Sequence, residues 1–120
     1  MKKKLGLFLT VILIQITPLI SAAGSSHPLV YKIDIKKEIS STTRLYLSNG
    51  LAEANALGAE AVLIHMNTYG GQVDSADSMR TAILYSPIPV YVFIDNNAAS
   101  AGALISIACK KIYMRKGANI

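Results

Sequence analysis

Two segments rich in small residues, about thirty positions apart, hold the groups in this 120-residue chain best suited to covalent chemistry. They are Asn67-Thr68-Tyr69-Gly70-Gly71 and Asn97-Ala98-Ala99-Ser100-Ala101-Gly102-Ala103. Each follows a short β-branched apolar run and precedes a segment with helical spacing. Two strand ends would therefore offer backbone N–H groups and one hydroxyl to a common site. Nucleophilic acyl transfer needs that pairing: an oxygen that attacks a carbonyl, and amide donors aimed where the oxyanion forms. Ser100 also suits a plainer role, since serine at a helix N-terminus commonly caps it. Spacing alone leaves nucleophile and cap equally open. A helix N-terminus favours developing negative charge, so one residue can serve both ends.

The other chemistry-bearing residues point to blander roles. Gly70-Gly71 lacks the lysine and threonine or serine of a phosphate-binding loop and the third glycine of a dinucleotide fingerprint. The surroundings of Ser100 are not the G-x-S-x-G elbow of the α/β-hydrolases. His65 and Asp95 invite a Ser-His-Asp arrangement, but His65 lies inside an apolar strand and reads as a satisfied core or rim histidine. Asp74 and Asp77 are favourable charges at the start of a helix, not a metal pair. Cys109 is the sole cysteine, which excludes an internal disulfide and the Cys/His zinc spacings. Its apolar helical run predicts a buried, structural thiol.

The elements that would position the two segments follow from periodicity. Leu29, Tyr31, Ile33 and Ile35 alternate with Lys32, Asp34 and Lys36, the period of a half-buried strand. Ser40 to Thr43 supply N-cap candidates for a helix that carries Leu47, Leu51 and Ala54 on one face and ends near Gly58. Ala61 to Met66 is nearly continuously apolar and predicts a strand covered on both faces. A helix over 74–85 places Ala76, Met79, Ala82 and Ile83 inward, and Ser86-Pro87-Ile88-Pro89 stops it. Val90 to Ile94 is a second buried strand, Asp95-Asn96-Asn97 a turn, 100–109 a helix, and Lys111 to Met114 a last strand. The order β-α-β-α-β-α-β predicts an α/β unit with a mostly parallel sheet, whose ligands lie outside the carboxyl ends of the strands. Both small-residue segments fall there.

The N-terminus sets location. Lys2-Lys3-Lys4, the apolar stretch Leu5 to Ile16, and Ser21-Ala22-Ala23 have the order of a secretory signal peptide, with residues 1–23 removed on export. The chain carries twelve Lys and Arg against seven Asp and Glu, a net +5, and three of those lysines belong to this leader. The rest is nearly balanced and has no stacking platform beside its scattered basic residues, which argues against a nucleic-acid partner.

The motifs in order, from Asn67-Thr68-Tyr69-Gly70-Gly71 through Ser86-Pro87-Ile88-Pro89-Val90 and Ala98-Ala99-Ser100-Ala101-Gly102 to Gly117-Ala118-Asn119-Ile120, resemble the ClpP-class serine protease domain of NfeD-type membrane proteins. That domain is related to signal peptide peptidase SppA and has the ClpP/crotonase fold. The resemblance spans residues 30–120. It implies Ser100 as nucleophile, Gly71 and Ala101 as oxyanion donors, and Gly70 as part of the same substrate-binding turn. It further implies a Ser-Lys dyad, a hydrophobic peptide segment as substrate, stomatin-like membrane proteins as targets and partners, and a homo-oligomer at the cell envelope. No cofactor or metal is implied. Tyr69 stands where the family usually has proline, which alters the rim of the groove. The dyad lysine would lie a few tens of residues beyond Gly117–Ile120, while Lys110, Lys111 and Lys116 read as solvated. Residues 24–120 are thus expected to be the N-terminal part of such a domain, its fold incomplete at the C-terminus and inactive alone. The alternatives are a non-catalytic module that binds hydrophobic peptide in the same groove, and an acyl-CoA site of the crotonase kind, which export disfavours.

Overall fold

Alternating burial along three of the four strands and one apolar stripe per helix build the core in the computed structural model, which describes residues 27–120, while the last strand is exposed throughout. The expected signal peptide over 1–23 lies outside the described residues. The elements run β1 (Val30–Ile35), α1 (Ser41–Ala56), β2 (Ala61–Thr68), α2 (Val73–Leu84), β3 (Val90–Ala98), α3 (Ala101–Ser106) and β4 (Lys111–Met114). The four strands pair in sequence order, all parallel. The predicted α/β class and helix–strand order hold.

Ile33 and Ile35 from β1, Val62, Ile64 and Met66 from β2, and Val90, Val92 and Ile94 from β3 are buried together with Leu47, Leu51, Ala54, Ala76, Met79, Ile83 and Ile105 from the helices. This single cluster sits between the sheet and the helical layer, α2 packing against both α1 and α3. Ser40 caps α1, its hydroxyl accepting the Thr43 N–H at 3.3 Å. Gly58, at φ +66°, lies just past the end of α1.

The sequence predicts β2 covered on both faces; among the described residues only one face is covered. Leu63 and His65 of β2, with Tyr91 and Phe93 of β3, are only half-buried on the face away from the helices. Cross-strand contacts shelter them instead: the His65 and Phe93 rings lie 5.7 Å apart and those of Tyr91 and Tyr113 6.4 Å apart. A second difference concerns Asp95-Asn96-Asn97, which continues β3 rather than turning. The Asn119 N–H donates to the Asn96 carbonyl and the Ala98 N–H to the Asn119 carbonyl, both at 2.9 Å. These bonds come from residues far along the chain, which local turn propensity does not register.

Cys109 lies just beyond α3, its thiol donating to the Ile105 carbonyl at 3.7 Å. Burial pushes that thiol up to about 12, so at pH 8 only about one molecule in 10⁴ carries the reactive thiolate. Cys109 is therefore expected to resist a thiol-specific disulfide reagent in the native protein and to react at once after denaturation. Rapid native labelling, followed spectrophotometrically, would contradict its burial.

Candidate active site

The two small-residue segments meet at the carboxyl edge of the sheet. At the end of β2, the buried Thr68 hydroxyl donates to the Lys37 carbonyl at 2.8 Å and accepts the Gly70 N–H at 3.1 Å. The chain then turns through Gly70 at φ +110° and Gly71 at φ +150°, values that suit glycine alone. Gly71 forms a parallel bridge with Ile39 in the loop after β1. The Ile39 N–H donates to the Gly70 carbonyl and the Gln72 N–H to the Ile39 carbonyl, each at 2.8 Å. In a parallel bridge the residue between those two contacts points its own N–H away from its partner. The Gly71 N–H is accordingly turned from Ile39 and, among the described residues, donates to nothing.

At the end of β3 the Ala99 N–H donates to the Thr68 carbonyl at 3.1 Å, which fastens the second segment to the first. Ser100 follows at φ +52°, ψ −115°, the sole non-glycine residue with positive φ among those described. It holds the N-cap position of α3, yet its side chain makes no capping bond. Its carbonyl accepts from Ala103 and Leu104 while the hydroxyl is left exposed. The Ala101 N–H, like that of Gly71, has no acceptor among the described residues. The small neighbours are required by contact. A Cβ on Gly70 would come within 2.9 Å of the Ser100 Cβ and 3.3 Å of the Ala101 nitrogen, and one on Gly102 within 2.7 Å of Thr68 Cγ2. A strained serine at a strand-to-helix turn, beside two free amide donors, has the form of a site that attacks a carbonyl and holds the oxyanion. The Gly70 N–H is taken by Thr68, so Gly70 contributes space against Ser100 rather than a donor.

The strain is measurable. Ser100→Gly removes the Cβ that makes φ +52° costly, and the relief exceeds the added flexibility of the unfolded chain by about 1 kcal/mol. The variant is expected to melt higher than the parent in thermal denaturation. A lower melting temperature would mean that this backbone is unstrained.

His65 does not join Ser100. Its Nδ1 lies 2.9 Å from Asp34 Oδ1 and its Nε2 3.3 Å from Asp95 Oδ2, so both ring nitrogens face carboxylates. The second contact is off the hydrogen-bond axis, leaving Nε2 without a hydrogen-bond partner. Arg115 approaches Asp95 Oδ1 at 2.6 Å. The Lys32 ammonium beside Asp34, helped by Lys36, holds that carboxyl below its usual range. His65 thus sits in a charged cluster on the open face of the sheet, the rim position expected, but with one ring nitrogen unpartnered rather than satisfied. Lys110 and Lys111 are exposed at the start of β4, the opposite edge from Ser100, and Lys116 is exposed in the turn after it. Asp74 accepts the Ser75 N–H at 2.8 Å in the first turn of α2, and Asp77 pairs with Arg80.

Sequence reasoning assigned no role to Ile39, Thr68 or Gln72. Thr68 was legible in part, since a hydroxyl two residues before a strained glycine can accept its N–H. Gln72, whose side-chain carbonyl accepts from the Ser41 N–H and the Ser75 hydroxyl, left no local signal. Beside the glycine pair lies a groove of about 470 Å³, lined by residues 36–38 and 67–71.

With this geometry in place, the likeness to known proteins becomes specific. The chain is 33% identical over 117 residues to the membrane protein NfeD1b of Bacillus subtilis, covering 97% of itself and 26% of that protein. It is 33% identical over 95 residues to the membrane-bound protease PH1510 of Pyrococcus horikoshii, covering 77% of itself and 22% of that protein. Among solved structures, the 1510-N membrane-bound stomatin-specific protease, as a lysine-to-alanine mutant in complex with a substrate peptide, superposes with a TM-score of 0.74 at 31% identity. That match covers 78% of this chain and 44% of the other. ClpP1 from Listeria monocytogenes superposes with a TM-score of 0.64 at 25% identity over 66% of this chain and 46% of its own. The chain thus spans about a quarter of the curated relatives and under half of these solved chains. The fold is ClpP-like, and a family model of the NfeD1b N-terminal domain matches residues 29–120, so the chain belongs to that family.

Proposed function

We propose that the chain carries the nucleophile and oxyanion donors of a membrane-associated, exported serine endopeptidase that works with a Ser-Lys dyad. The observation that supports this best is the convergence of a strained, uncapping Ser100 with the two unpaired N–H groups of Gly71 and Ala101. In the proposed reaction, Ser100 Oγ attacks the carbonyl carbon of a peptide bond and its proton passes to the lysine amine. The carbonyl oxygen, now negative, accepts hydrogen bonds from Gly71 and Ala101. Collapse of the tetrahedral intermediate breaks the C–N bond, and the leaving amine takes the proton back. Water, deprotonated by the same lysine, then attacks the acyl carbon; the bond to Ser100 Oγ breaks and the serine oxygen takes the proton back from the lysine, which frees the enzyme. A neutral hydroxyl needs that base. The lysine is the one that the family resemblance places beyond Gly117–Ile120.

The substrate proposed is a hydrophobic peptide segment of a stomatin-like membrane protein, in keeping with relatives named as membrane-bound and stomatin-specific proteases. Among the described residues no helix is long and apolar enough to cross a membrane. Membrane association therefore enters through the relatives' names and through residues 1–23, proposed as an export signal. Assembly into a homo-oligomer belongs to the same reading. The test is a serine-reactive fluorophosphonate probe applied to the protein extended through the dyad lysine, with the adduct mapped by peptide mass spectrometry. Adduct on Ser100 together with cleavage of a hydrophobic peptide supports the reading. Hydrophobic peptide bound without cleavage or labelling replaces it by the non-catalytic alternative.

A further inference from the structure

Resting on the placement of Ser100 above, the structure points to a second determinant of what this site accepts. The carboxyl edge presents three loops in a row: 36–40 after β1, 69–72 after β2, and 99–100 after β3. Ser100 lies where the second and third meet, against Gly70. The groove of about 470 Å³ lies where the first and second meet, and Gly70 and Gly71 are among the residues that line it. A peptide whose reacting carbonyl sits between Ser100 and the Gly71 and Ala101 amides must pass over that glycine pair. An extended chain advances about 3.3 Å per residue, so a side chain one or two positions from the reacting bond drops into the groove.

The groove's chemistry is distinctive. Its lining includes Lys36 and Lys37 against a single carboxylate, Glu38. Lys36 is partly engaged, 3.4 Å from Asp34 Oδ1, whereas Lys37 forms no ion pair among the described residues. The Lys37 backbone is pinned by the Thr68 hydroxyl, the same group that fixes the Gly70 turn, so its position is tied to that of the site. Tyr69, 80% exposed, adds an aromatic ring and a phenolic donor to the lining. The unpaired ammonium of Lys37, with the partly engaged Lys36 and the Tyr69 phenol beside it, suits a carboxylate on a short stem. We propose that this groove is a subsite selecting an acidic side chain, glutamate or aspartate, next to the apolar segment of the bound peptide.

The test uses the protein extended through the proposed dyad lysine, carrying Ser100→Ala, and a set of apolar decapeptides. In this set Glu, Gln or Lys is placed in turn at each of the two positions on either side of the central bond. Affinities are read by calorimetry at low and high salt. At one position the Glu peptide is expected to bind about three- to tenfold more tightly than the Lys peptide, with Gln between and the gap narrowing in salt. Lys37→Glu should reverse that order, while Lys116→Glu, in the turn after β4, should leave it unchanged. Circular dichroism of each variant excludes unfolding as the cause. Equal affinity for Glu and Lys at all four positions overturns the subsite and leaves the peptide-binding reading standing. Failure of every peptide to bind overturns both.

Discussion

Gly71→Ala is expected to lower the stability of this domain by about 3 kcal/mol and to disable the site even in molecules that remain folded. The added Cβ would overlap the carbonyl oxygen of Ile39 and come within 2.7 Å of its nitrogen. Both are backbone atoms of a fully buried residue, so no side chain can swing aside. Relief requires the Ile39–Gly71 bridge to open, which forfeits two backbone hydrogen bonds worth about 1 kcal/mol each. Holding alanine at φ +150° would add about 1–3 kcal/mol. A loss of this size is a large share of a total that is typically only about 5–15 kcal/mol. Denaturant unfolding measures it directly. Gly58→Ala is the control: φ is again positive at +66°, but nothing lies within 4 Å of the new methyl, so about 1 kcal/mol is expected. If Gly71→Ala costs no more than Gly58→Ala, the tie between the first two loops does not hold the site.

Under the proposed function, Ser100→Ala should remove peptide cleavage in the protein extended through the proposed dyad lysine, by a factor on the order of 10⁴–10⁶. The backbone can keep φ +52° with alanine, and the Gly71 and Ala101 donors stay in place. What survives is therefore the acceleration that bound geometry and an oxyanion site give without a nucleophile. Stability separates the two roles that the sequence left open. A capping serine loses about 1 kcal/mol on mutation to alanine. Here the hydroxyl caps nothing, so a change below about 0.5 kcal/mol is expected. Cleavage at the parental rate would show that another group attacks the peptide.

The strand–helix order was legible because each element repeats its own period: two in Tyr31, Ile33 and Ile35, and near 3.6 in Ala76, Met79 and Ile83. Both site segments were legible as small residues after strand ends. The failures share one cause. That β3 runs on through Asn97 and that Ser100 bends to positive φ are settled by partners distant in the chain. A window around Asp95-Asn96-Asn97 sees three turn formers; the sheet sees Asn119 completing a ladder. Likewise α3 is shorter than its apolar run suggests, ending at Ser106, whose hydroxyl donates to the Gly102 carbonyl at 2.8 Å. The Ile39 bridge that orients Gly71 joins residues in separate loops, and no spacing rule links them.

That bridge also separates two kinds of evolvability in this scaffold. The loops are laced by main-chain atoms: Ile39 to Gly70 and Gln72, Ala99 to Thr68, Ala98 to Asn119. Such lacing is indifferent to most side chains the laced residues carry, provided the glycines stay bare and Thr68 keeps the hydroxyl that holds Lys37 and Gly70. The walls of the neighbouring groove, by contrast, are side chains: Lys36, Lys37, Glu38 and Tyr69. Mutation can therefore retune what enters without disturbing the apparatus that would act on it, and a single scaffold can drift among substrates while its working geometry is inherited intact.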